Sequence, residues 1–287
     1  MRPLPRFWAV REETVRGRDN RDQLVRMWGW STDSLAEATR IAGERVTRLA
    51  ETWRRGWNWD EYYPRTPLRE EVLGEVNTGD GALVGVVTRN RYGAEVLNTD
   101  ALLIADLDLP VGAGWTFWRG LFGRGPDPAA VAAAEEPVRA RVAALVARRP
   151  DWGVHLYRTA AGFRVLVTGS GAEPAGPLAT EVLAELGSDE VYARLCATHR
   201  TFRARLTPKP WRADKMLRAL TVRWPPTDPK GERRYRDWIA RYDRVSAAYA
   251  TCRLEERRGP GPRNEAEALL LGVHDRVTRA ESGLPLA

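Results

Sequence analysis

The 287-residue chain predicts an α+β fold. Three observations carry this. Residues 82–88 and 94–98 are short apolar runs around Asn90-Arg91-Tyr92-Gly93, the pattern of a β-hairpin that leads into the aliphatic run Leu102–Ile104. Trp152–Thr168 reads as strand, tight Thr159–Gly162 turn, strand. After Pro225-Pro226 the apolar residues Tyr235, Trp238, Ile239, Tyr242, Val245 and Tyr249 fall at helical spacing.

The other elements follow in chain order. Phe7–Val10 is a first strand. Ser31 or Thr32 caps a helix through Leu35, Ala38, Ile41, Val46 and Leu49. Trp53, Trp57 and Trp59 follow among arginines, as packing or as base-stacking residues. Pro64 and Pro67 break the chain before a short helix at Leu68–Val76. Residues 111–128, rich in glycine, proline and aromatics, form an inserted loop: a flap near the acids described below, or a loop packed on the surface. An alanine-rich helix spans 128–148, and further helices span 178–187 and the residues after Asp189. Phe202–Leu206 is a strand, Leu220–Trp224 a short strand, and 264–281 a last helix behind the Gly-Pro-Gly-Pro stretch at 259–262. This divides the chain into an α+β domain, 1–226, and a helical C-terminal region, 227–287.

Composition narrows the classes. No stretch approaches the ~20 apolar residues of a membrane span. The N-terminus carries charge but no apolar h-region, so no signal peptide is expected. Cys196 and Cys252 are the only cysteines, too few for a disulfide framework, which fits a reducing cytoplasm. With three histidines they also make a poor structural zinc set. His155 reads as a structural, hydrogen-bonded residue, and His199 and His274 as surface residues. The net charge of +7 is concentrated: residues 197–223 carry eight basic side chains and one acid, and the rest of the chain is neutral. A basic segment of that density favours a polyanionic partner.

The aliphatic run at 102–104 ends in Asp106-Leu107-Asp108-Leu109-Pro110. On a strand, residues i and i+2 share a face, which puts the two carboxylates roughly 7 Å apart at their α carbons. Close carboxylates repel unless a positive group sits between them. A divalent cation with oxygen preference, Mg²⁺ or Mn²⁺, supplies that charge; otherwise the strand runs into solvent with both acids hydrated. In Thr159-Ala-Ala-Gly162-Phe-Arg164, turn amides, the Thr159 hydroxyl and the Arg164 guanidinium could hold phosphate oxygens, or the segment is a plain hairpin. Asp189 is either a helix N-cap or a third acid beside the pair. In Phe202–Arg212, Arg203 and Arg205 share a strand face, while Pro208 and Pro210 stiffen a loop bearing Lys209, Trp211 and Arg212. These are groups suited to phosphates and a base, if not a solvated basic face.

The order of these parts resembles the archaeo-eukaryotic primase superfamily, including bacterial primase-polymerases. That family shows an apolar strand ending in DxD, then a strand-turn-strand resembling SGxGxH, then an acid followed by a basic segment. Leu102–Asp108 matches the first motif. Thr159, Gly162 and Arg164 match the second in spacing, and Asp189 with Arg203, Arg205 and Lys209 matches the third loosely. The likeness covers about residues 80–225. One position departs from it: Arg164 stands where the family has a histidine. The resemblance implies an RRM-like core sheet and metal-dependent nucleotidyl transfer from nucleoside triphosphates on a nucleic-acid template. Asp106, Asp108 and Asp189 would hold two Mg²⁺ or Mn²⁺ ions, and Thr159, Gly162, Arg164, Arg203, Arg205, Lys209 and Arg212 would grip phosphates. Residues 227–287 would clamp template or bind a partner protein. Two other readings stand beside it. One is a relative that binds nucleic acid after its chemistry has lapsed, which Arg164 motivates. The other is a DxD glycosyltransferase, which has no need of the basic segment.

Overall fold

A computed structural model describes residues 1–16, 21–54, 67–109 and 128–287. The 111–127 part of the expected insertion lies outside the described residues, as do Trp57 and Trp59 and the side chain of Trp53. Among the described residues the fold is α+β, with seven helices and three antiparallel sheets.

The first sheet is a hairpin of β1 (Phe7–Arg16) and β2 (Asp22–Ser31), in register from Phe7 opposite Ser31. Helix α1 (Leu35–Arg54) lies on it and closes a small core of Val15, Val25, Val46, Leu49 and Ala50. The approach is close: a β carbon on Gly29 would sit 2.2 Å from the Ala38 carbonyl oxygen, so only glycine fits there. Ser34, not Ser31 or Thr32, caps α1 by accepting the Glu37 N–H, while the Ser31 hydroxyl holds the preceding turn through Asp33 and Ser34.

The second sheet has the order β3-β4-β5-β9, from β3 (Glu71–Asn77), β4 (Leu83–Arg89), β5 (Glu95–Thr99) and β9 (Phe202–Arg205). The helix expected at Leu68–Val76 is therefore strand β3. Exposure alternates along it, Val72, Gly74 and Val76 being less exposed than Leu73, Glu75 and Asn77, and pairing with β4 settles the choice.

The third sheet has the order β10-β7-β8-β6, from β6 (Leu103–Asp108), β7 (Gly153–Thr159), β8 (Gly162–Thr168) and β10 (Cys252–Arg258). Strand β8 is buried along its whole length. Strand β10 overturns the purely helical reading of 227–287. It is an edge strand of alternating exposure, whose charged Arg253, Glu255 and Arg257 hid its inward Cys252 and Leu254. Leu220–Trp224 is irregular rather than a strand.

Helices α2 (Pro128–Arg148), α3 (Pro177–Leu186) and α4 (Glu190–His199) connect the sheet strands. The short α5 (Pro210–Ala213) follows β9, then come α6 (Pro229–Ser246) and α7 (Glu265–Thr278). One core spans both four-stranded sheets and takes in Cys252, Leu270, Leu271 and Ala280, so residues beyond 227 help to bury the strand that carries Asp106. No described helix is long and apolar enough to cross a membrane.

Candidate phosphate-binding site

The two four-stranded sheets meet edge to edge at β6 and β9. Their join is made by side chains rather than by a ladder. The Tyr192 hydroxyl of α4 donates to the Ile104 carbonyl at 2.8 Å and accepts the Arg203 N–H at 3.4 Å, linking β6 to β9. The free edge of β6 is finished by the α3–α4 connection: the Ser188 hydroxyl and the Asp189 N–H both donate to the Asp106 carbonyl, at 3.0 and 3.2 Å.

Asp106 and Asp108 occupy alternate positions on β6, opposite Arg164 and Gly162 of β8, and so share a face as expected. The positive group beside Asp106 is Arg164. Its Nε donates to Asp106 Oδ1 at 2.8 Å and its Nη2 lies 3.4 Å from Oδ2. Its Nη1 donates to the Arg205 carbonyl at 2.8 Å, so this one fully buried side chain ties β8 to both β6 and β9. Burial alone would push the Asp106 carboxyl up, but the guanidinium overrides it and holds the carboxyl below its usual range. Burial pulls Arg164 down, and Asp106 lifts it above the ordinary arginine value.

His274 completes this knot. It is fully buried on α7, not on the surface, with Nε2 3.4 Å from Arg164 Nη1 and Nδ1 2.9 Å from Asp275 Oδ1. Arginine can only donate, so Nε2 accepts and Nδ1 carries the proton toward Asp275. Burial lowers the His274 pKa, in keeping with a neutral ring. The ring of Tyr157 stands edge-on to it at 4.7 Å. His155 is buried, but its Nδ1 has no hydrogen-bond partner among the described residues, so the expected hydrogen bond is not found there.

The remaining predicted site residues divide sharply. The Thr159 hydroxyl accepts the Ala161 and Gly162 N–H groups at 3.4 and 3.1 Å, so both amides are spent on closing the turn. A β carbon on Gly162 would lie 2.0 Å from the Leu107 carbonyl oxygen; the glycine is there to let β8 lie against β6. The Asp189 carboxylate accepts the Tyr192 N–H at 2.7 Å as the N-cap of α4. Arg203 is buried and grips Glu70 with two bonds, at 2.8 and 2.9 Å, and Asn98 with a third at 2.6 Å. These four residues serve the scaffold.

Arg205, Lys209 and Arg212 remain, partly exposed and gathered with Asp106 and Asp108. Burial brings the Arg205 pKa down to about 10, with Arg164 and Arg212 adding repulsion against the pull of Asp106. Burial and then the Arg205 and Arg212 charges lower Lys209. Burial lowers Arg212 against the opposing pull of Asp108. Arg205 Nε is buried with no hydrogen-bond partner among the described residues, and none of the three cations forms an ion pair with a described residue. Among the described residues Asp108 draws Lys209 and Arg212, while Arg205 is drawn by Asp106, which Arg164 already answers, so positive charge is in excess here.

A divalent cation fits this arrangement poorly. Both Asp106 oxygens are engaged by Arg164, and Asp189 is occupied as a cap. Among the described residues no group of three or more His, Cys, Asp or Glu side chains could hold a metal ion.

Sequence reasoning missed four contributors: Glu70, Tyr192, His274 and Asp275. Of these His274 was within reach, because Leu270, His274 and Thr278 recur at four-residue spacing on one helix face. Comparison with known proteins adds no relative: no family model, curated protein or solved structure matches the chain.

Proposed function

We propose that the seam between β6 and β9 binds phosphoryl groups of a nucleotide or nucleic acid, in a protein whose core is of the RRM-like, primase-polymerase kind but whose site works by binding. The observation that carries this is the unbalanced trio Arg205, Lys209 and Arg212, each destabilised as a cation by burial, with a buried Arg205 N–H left unpaired. A phosphate relieves both the repulsion and the missing hydrogen bond, through charge-assisted interactions. The order β6–α2–β7–β8–helices–β9, with β6 lying between β8 and β9, supports the RRM-like description. Arg164 in the histidine position of the primase motif supports binding over chemistry, because it neutralises the carboxylate that a metal would use.

Calorimetric titration with tripolyphosphate in the absence of divalent cations tests the reading. The wild type should bind at one site, and Lys209→Ala/Arg212→Ala should bind at least about tenfold more weakly, each lost charged hydrogen bond being worth ~1.5–3 kcal/mol in typical proteins. Equal affinity of the two would refute it.

A second reading, metal-dependent nucleotidyl transfer, is favoured by one observation: Asp106 and Asp108 do share the open face of β6. Incubation with labelled nucleoside triphosphates, a single-stranded template and Mn²⁺ separates the two. Binding alone predicts no product. Mn²⁺-dependent product that disappears in Asp108→Asn would replace the first reading with the second.

A further inference from the structure

Next to the phosphate site lies an aromatic surface that the proposed function leaves unused. Trp211 and Tyr92 keep 38% and 36% of their surface exposed and meet edge to face, with ring centroids 5.6 Å apart. Neither belongs to the hydrophobic core. Both are nevertheless held firmly from behind. The Leu220 N–H donates to the Tyr92 carbonyl at 3.2 Å. Trp238 of α6 packs so tightly on Gly93 that a β carbon there would fall 2.0 Å from its ring, and its indole N–H donates to the Arg218 carbonyl at 3.1 Å. Trp238 stacks on Tyr242, whose hydroxyl holds Thr207 and the Pro208 carbonyl, each at 2.7 Å. The segment 207–220, in which α5 carries Trp211, is thereby braced at both ends.

Cations surround the pair. Arg91 lies 4.6 Å over the Tyr92 ring, and Lys209 Nζ is 5.9 Å from the Trp211 ring. Lys215 and Arg218 are exposed just after α5, and the one acid of this segment, Asp214, is engaged by Arg241 at 2.8 Å. Lys209 belongs to both places, since its charge also interacts with Asp108 and Asp106. The aromatic pair and the phosphate site therefore form one continuous surface.

From this arrangement we propose that Trp211 and Tyr92 form a base-stacking shelf, and that the ligand of the whole surface is single-stranded nucleic acid. The proposal rests on the phosphate reading and narrows it. An inorganic phosphate or a phosphoprotein gains nothing from exposed, braced rings flanked by cations. A strand with unpaired bases offers a π face to the rings and a phosphate to the adjacent cations. A duplex keeps its base faces stacked away.

The test uses a short single-stranded oligonucleotide carrying a fluorescent purine analogue, with tripolyphosphate as the second ligand. Trp211→Ala should weaken oligonucleotide binding about tenfold or more and abolish the stacking quench of the analogue, as loss of one stacked base does elsewhere. Trp211→Phe should keep most of both, and tripolyphosphate affinity should stay unchanged in either variant, which also reports an intact fold. Wild-type oligonucleotide affinity and quench in Trp211→Ala would overturn the shelf while leaving the phosphate reading in place. Unchanged binding of both ligands by Lys209→Ala/Arg212→Ala would instead remove the phosphate reading and the shelf with it. A duplex bound as tightly as the single strand would overturn the choice of ligand.

Discussion

Replacing Arg203 or its partner should destabilise the protein more than any change in the exposed site. Arg203 and Glu70 are both more than nine-tenths buried, and Arg203 also satisfies Asn98. Removing one member of a buried, hydrogen-bonded ion pair typically costs ~3–5 kcal/mol, because the other charge stays buried and unanswered. For a chain of this size the melting temperature of Glu70→Ala should fall by roughly 5–8 °C. Tripolyphosphate affinity, measured below the transition, should not change, because Arg203 is engaged by Glu70 and Asn98 rather than left free, among the described residues, as Arg205, Lys209 and Arg212 are. A melting temperature within about two degrees of the wild type would show that the Arg203–Glu70 bridge is not a structural tie. Loss of phosphate affinity in a folded variant would return Arg203 to the binding surface.

Arg164→Ala should have the next largest effect, and a different signature. It removes the bonds to Asp106 and to the Arg205 carbonyl, so the β6–β8 and β8–β9 ties go together. About 3 kcal/mol is expected, at the lower end of the buried-pair range because the Asp106 side chain keeps 31% exposure. The pH dependence fixes the sign. In the folded protein Asp106 titrates below its ordinary value, so its contribution is present above the unfolded carboxylate pKa near 4 and fades as pH falls through the lower folded value. Without Arg164, burial dominates and the carboxyl moves up, so acid unfolding of Arg164→Ala should begin at higher pH than in the wild type. Buried, neutral His274 acts in the same direction in both proteins, losing its stabilising effect as pH drops below about 6.5. The combined Arg164→Leu/Asp106→Leu variant should recover part of the stability, since it leaves no orphaned charge. Acid unfolding at the wild-type pH in Arg164→Ala would contradict the assignment of Arg164 as the counterion.

Much of this architecture was legible in the chain, for identifiable reasons. The hairpin of β4 and β5, strand β6, the β7–β8 pair and helices α3, α4, α6 and α7 form where local sequence pattern places them, and α2 where its alanine content does, whereas the short α5 stands where a loop was expected. The shared face of Asp106 and Asp108 follows from strand geometry alone. Strands β3 and β10 were hidden because their inward residues are few or small, while the outward ones are mixed in β3 and charged in β10, so only pairing with β4 and β7 reveals them. The site was legible as a set of residue types but not as a division of labour. Arg203 and Arg205 are two positions apart on one strand, yet Glu70, distant in sequence, captures the first and no described acid captures the second. Likewise Arg164 reads as a phosphate ligand until β6 is placed beside β8, where Asp106 becomes its partner. Local sequence names the charges; tertiary pairing decides which of them remain available.

The salt dependence of single-strand binding tests the central claim most directly. Plotting the logarithm of the association constant for a short single-stranded oligonucleotide against that of salt concentration counts the phosphates that the protein neutralises. The account predicts a slope for the wild type steeper by roughly 1.4 than for Lys209→Ala/Arg212→Ala, about 0.7 for each phosphate that is no longer neutralised. Identical slopes for the two proteins, or a binding constant insensitive to salt, would contradict it.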